Sequence, residues 1–100
     1  MKLTEEDKQI LRSWNYTEQN IEQIKRFLGK TVYKFVDDEN GTSERISATK
    51  ASELLDRKDF LSGLARSTFH WTAVRELPNN ENAHVFFNSG NYWREILSNE

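Results

Sequence analysis

Apolar residues recur at helical spacing over positions 4–29, and polar residues that cap helices punctuate them twice. Thr4 stands as an N-cap with Asp7 three residues on, and Ile10, Leu11 and Trp14 follow on one face. Thr17 is a second N-cap, Tyr16 and Ile21 form a hydrophobic staple across it, and Ile21, Ile24, Phe27 and Leu28 make one stripe that Gly29 closes as a C-cap. The pattern predicts an αα-hairpin over 4–29. The period then changes. "TVYKFVDDENGTSERI" is β-branched and aromatic, and Asn40-Gly41 between two extended runs signals a hairpin. A two-residue loop there pairs Phe35 with Ile46 and Val36 with Arg45, and sets Asp37 against Glu44, a like-charge pair that frays the tip.

Ser47 begins a third helix, "SATKASELLD", with Ile46 and Ala51 as its staple and Ala51, Leu54 and Leu55 as its apolar face. Asp59 caps a fourth after the turn "RKD". On a wheel of about 100° per residue, Phe60, Leu61, Leu64, Ala65, Thr68 and Trp71 share one side. Arg75 falls in the middle of that side, and a charge there is costly to bury. The fourth helix is therefore expected to end near His70 or Trp71. "WTAVREL" then reads as a strand, "PNNENA" as a turn, "HVFFNS" as a returning strand and "NYWREIL" as a short C-terminal helix capped by Ser89 or Asn91. The aromatic residues Trp14, Tyr16, Phe27, Tyr33, Phe35, Phe60, Trp71, Phe86 and Phe87 mostly occupy positions that a core needs.

The fold class expected is α+β, a single small domain over 1–100: an N-terminal αα-hairpin followed by a winged-helix-like arrangement of strand or hairpin, two helices, a two-stranded wing and a short C-terminal helix. The element order carries this expectation, with the winged helix-turn-helix unit over 46–88. Residues 46–76, "ISATKASELLDRKDFLSGLARSTFHWTAVRE", also resemble a segment of small uncharacterised proteins carried by mobile elements of Firmicutes-type bacteria. That resemblance implies an accessory protein of a phage or mobile element and assigns no residue a role.

Charge sharpens the picture. The net charge is −2, yet residues 45–75 carry six Lys/Arg against three Asp/Glu, while residues 76–100 carry one against four. Ser62, Arg66, Phe69, His70 and Ala73 lie opposite the apolar stripe of the fourth helix. As a recognition helix it would put Arg66, Ser67 and His70 in the groove of duplex DNA, with Lys50, Arg57 and Lys58, and Arg45 beside them, on phosphates. A plainly solvated face accounts for the same residues, and an isoelectric point near 5.7 opposes non-specific DNA binding. The competing expectation is a protein-interaction module, such as a phage-type inhibitor of a host machine, presenting Tyr92 and Trp93 beside Arg94.

Other chemistries find little support. No cysteine is present, which excludes a disulfide framework and thiolate metal sites and fits a reducing, cytoplasmic setting. No window approaches the roughly 20 apolar residues of a membrane span, and "MKLTEEDKQI" has no leader-like apolar region. His70 and His84 are too few for a metal site, "DDENGTSE" fails the EF-hand pattern, and "NSGNYW", with Ser89-Gly90-Asn91, explains itself as helix capping at least as well as anion binding. No nucleophile motif or paired carboxylates suggest an enzyme, and no cofactor is expected.

Overall fold

A computed structural model describes residues 1–89; the expected C-terminal helix, with Gly90, Asn91, Tyr92 and Trp93, lies outside the described residues. The elements are α1 (Glu5–Ser13), α2 (Glu18–Phe27), β1 (Val32–Asp37), β2 (Thr42–Ile46), α3 (Ala48–Leu54), α4 (Arg57–His70), β3 (Thr72–Leu77) and β4 (Asn80–Asn88). The strands form one antiparallel sheet in the order β2-β1-β4-β3. It is an α+β fold, with the helices on the sheet face that carries Tyr33, Val85 and Phe87.

The N-terminal helices begin where the capping residues dictate. Thr4 and Thr17 each accept the backbone N–H three residues on, and the Asp7 and Asn20 side chains return the bond to the cap residue's own N–H. α1 ends on a left-handed Asn15 (φ +70°), whose N–H reaches the Arg12 carbonyl while that of Tyr16 reaches Leu11. Gly29, expected to end α2 in the same way, is not left-handed; α2 passes out through Leu28 in helical geometry.

Three boundaries differ from the sequence pattern, each for a local reason. In the first hairpin Asp37 accepts the N–H groups of Glu39 and Asn40, which builds a four-residue loop, 38–41, with Gly41 left-handed at φ +64°. The register slips by two: Phe35 faces Glu44, Tyr33 faces Ile46 and Asp37 faces Thr42, so the like-charge opposition moves to Lys34 and Arg45. An even slip leaves every side chain on its expected face. α4 starts at Arg57, two residues before the expected cap, because Asp56 accepts the Asp59 N–H at 2.8 Å. In the second hairpin β4 runs back to Asn80, a bulge at Glu76/Leu77 absorbs the mismatch, and only Pro78 and Asn79 remain to turn.

α4 is the central helix, packed by α1, α2, α3, β3 and β4. Its Phe60 meets Tyr33 and Phe87 in a ring cluster at centroid distances of 5.4–6.0 Å, around which Leu11, Ile21, Ile24, Leu61, Leu64 and Val85 are buried. Three aromatics expected inside are not: Trp14 is 37% and Trp71 46% exposed, and Phe86, half-buried, lies with Lys34 and Val74 on the sheet face away from the helices. As anticipated, the helix stops at His70 and a strand follows, and Arg75 stays out of the core, on β3.

Candidate interaction surface

The open face of α4 is a row of residues four apart: Lys58, Ser62, Arg66 and His70. On a helix such a row drifts slowly across one side, here over roughly 18 Å at 1.5 Å per residue. Lys58, Arg66 and His70 are exposed and take part in no ion pair among the described residues. Ser62 accepts a hydrogen bond from the Arg75 guanidinium at 2.6 Å. β3 thereby adds a fourth basic group to the row, one that the sequence marked only as the end of a helix. Asp59, half-buried beside it, is held above the usual carboxylate range by burial and by neighbouring Asp56, partly offset by Arg75.

The remaining basic and hydroxyl residues expected at a nucleic-acid interface do not join this row. Ser67 is fully buried and donates to the Leu64 carbonyl at 3.1 Å, which corrects its placement on the open face. Gly63 is the cause: an added Cβ there would stand 2.5 Å from the Phe87 ring, so α4 lies close enough to β4 to bury this side of the helix. Arg57 belongs to the first turn of α4, not to a turn between helices, and its guanidinium is bound to both carboxylate oxygens of Asp7. Lys50 is exposed on α3 and borders a shallow groove of about 160 Å³ with Phe35, Glu44, Ile46 and Leu54. Arg45 pairs with Lys34, hence lies on the sheet face away from the helices. His84 sits within 3.3 Å of Asp38, and His70 is remote from it in the fold's register; no cluster of metal-ligating side chains occurs among the described residues. Of the Ser89-Gly90-Asn91 loop only Ser89 is described, buried with its hydroxyl 3.0 Å from that of Thr31.

Among the described residues β3 pairs with β4 alone, and its other edge adjoins the α4 row. Ser89 N–H donates to the Trp71 carbonyl at 2.8 Å, which fixes the phase of the antiparallel ladder. Thr72 and Asn88 then form a non-hydrogen-bonded pair, so the N–H and C=O of Thr72 and Val74 point away from β4. The Val74 carbonyl is met there by Arg75 Nη1 at 2.7 Å. Val74 is 46% exposed, as is Trp71.

Trp71 is also the most strained residue of the described chain. Its φ of +75° with ψ of −42° lies where a bulky L-residue is a true outlier. Such geometry costs on the order of 1–3 kcal/mol and persists only where the surroundings impose it. The turn from α4 into β3 imposes it and leaves the indole exposed where the β3 strand begins. Comparison with known protein families, curated proteins and solved structures returns no match.

Proposed function

We propose that this chain is a non-enzymatic protein-interaction module whose docking surface is the corner between the α4 row and the β3 edge. The observation that carries this reading is a strand edge that no other strand covers among the described residues, with exposed Val74 and Trp71 at its start and basic side chains beside it that form no ion pair among those residues. In the mobile-element setting that the resemblance of residues 46–76 implies, the partner is a host protein. Placing a photo-crosslinking amino acid at Val74, with Ser43 on the β2 edge as control, tests the reading in a lysate of the native cell. One discrete, nuclease-resistant protein adduct from position 74 and none from 43 is expected; matching patterns from both positions reject it.

DNA binding through a winged-helix-like unit is the second reading. It draws on the order α2, β1, β2, α3, α4, β3, β4 with β1 beside β4, and on Lys58, Arg66 and His70 sharing one open row. Against it stand the burial of Ser67, the pairing of Arg57 with Asp7 and the removal of Arg45 to the far face, which leave few phosphate contacts. Duplex binding whose logarithmic salt slope falls by about 0.9 on Arg66→Ala would favour it over the protein reading.

A further inference from the structure

We propose that β3 receives an extended acidic peptide as an added strand, its backbone pairing with Thr72 and Val74 and its carboxylates meeting Lys58, Arg66, His70 and Arg75. This rests on the interaction-module reading and names the partner's chemistry. Three observations carry it. The outward N–H and C=O groups of Thr72 and Val74 are the row of donors and acceptors that strand addition uses. Arg75 caps the Val74 carbonyl with a bond at an exposed edge, which an incoming N–H replaces while Arg75 keeps Ser62. The open row of α4 is tied to that edge at Ser62, which the Arg75 guanidinium bonds.

An added strand alternates its side chains between the two faces of the sheet. Those on the α4 side enter the basic row; those on the other side lie against Val74 and Thr72. The acidic groups near the site do not close it: Asp59 is half-buried within α4, and Glu76, paired with His84, points to the face away from the helices. Charge also selects among occupants. A second copy adding through its own β3 would bring two α4 rows together about the symmetry axis, setting Lys58, Arg66 and Arg75 of each against those of the other. The β2 edge offers no comparable row; its outward side carries Ser43 and Arg45, far from α4.

The probe is a short peptide of alternating Val and Glu, labelled with fluorescein, titrated with the whole chain and followed by anisotropy; its Val–Lys counterpart is the control. The Val–Glu peptide is expected to bind and the Val–Lys peptide not, with affinity falling about tenfold on Arg66→Glu, the loss of roughly one charge-assisted contact. Val74→Pro, which removes an outward N–H and spares the ladder to β4, is expected to abolish binding. Should that variant fail to fold, amide exchange of the wild type decides. The Val74 amide must slow on peptide addition, while that of Ala73, already bonded to β4, must not change. Equal binding of the lysine peptide, binding without protection at Val74, or no binding of either peptide overturns the proposal. Failure here with the Val74 cross-link intact removes the acidic strand and leaves the docking surface; failure of both removes both.

Discussion

At the scale of single residues, Asp7 ties α1 to α4 through Arg57. Its carboxylate is almost fully buried, and burial alone would favour the neutral acid. Arg57, together with the Thr4 backbone and side chain, outweighs burial and holds the group below the usual carboxylate range. A carboxyl whose pKa is depressed by folding stabilises the fold above the unfolded value and loses that stabilisation as pH falls through the folded value. Stability is therefore expected to decline as pH drops below about 4. Asp7→Asn should cost about 2 kcal/mol at neutral pH, less than a fully buried pair because Arg57 remains partly exposed, and should flatten the acid limb. Denaturant titrations of both chains across that range check it. Trp71 behaves oppositely. Trp71→Gly relieves the left-handed strain and exposes little new surface, so a gain of about 1 kcal/mol in stability is expected together with a lower cross-link yield at Val74. A stabilised variant that docks as well as wild type would show the strain to be unrelated to binding.

At the scale of elements, the contact of α4 with the sheet is set by Gly63. Replacing it with Ala improves helix propensity by about 1 kcal/mol, but the new methyl meets the fully buried Phe87 ring, and overpacking of that kind costs about 1–3 kcal/mol. Gly63→Ala should be net destabilising in thermal unfolding, whereas Gly29→Ala, with open space around it, should be neutral or slightly stabilising. The caps Thr4, Thr17 and Ser47 were readable from the sequence because each bonds an amide three residues away. The hairpin register was not, because an Asp37 side chain, rather than Asn40-Gly41 alone, shapes the loop. The burial of Ser67 was hidden for a similar reason. A helical wheel shows which side of α4 is apolar; how far the buried side widens depends on the missing Gly63 side chain and a ring two dozen residues later.

At the scale of the whole molecule, the site divides in the same way. Arg66 and His70 could be grouped from spacing alone, since the expected helix carries both, whereas Lys58 joins them only because α4 starts at Arg57. The loss of Arg57 to Asp7, 50 residues away in the chain, the recruitment of Arg75 through Ser62, and the phase of the β3 edge are tertiary facts with no local trace. Sheet order also orders stability. β1 and β4 are paired on both sides, while β2, exposed along most of its length, closes only one edge. Native-state amide exchange should find β4 and the buried face of α4 slowest and β2 fastest; a β2 as well protected as β4 would contradict this ranking.

The pairing of β1 with β4, Val32 against Asn88 and Asp37 against Ala83, has a consequence for biosynthesis. The middle of the sheet is closed by segments from opposite ends of the described chain, so during synthesis β1 can have β2, α3 and Phe60 beside it, yet its other edge stays open until β4 has been made. Tyr33 and Phe60 wait without the Phe87 ring that completes their cluster. Such late, non-local closure slows folding and lengthens the time that apolar surface is open to other chains. The central strand pair that makes the finished sheet durable is thus closed only late in the synthesis of the described residues.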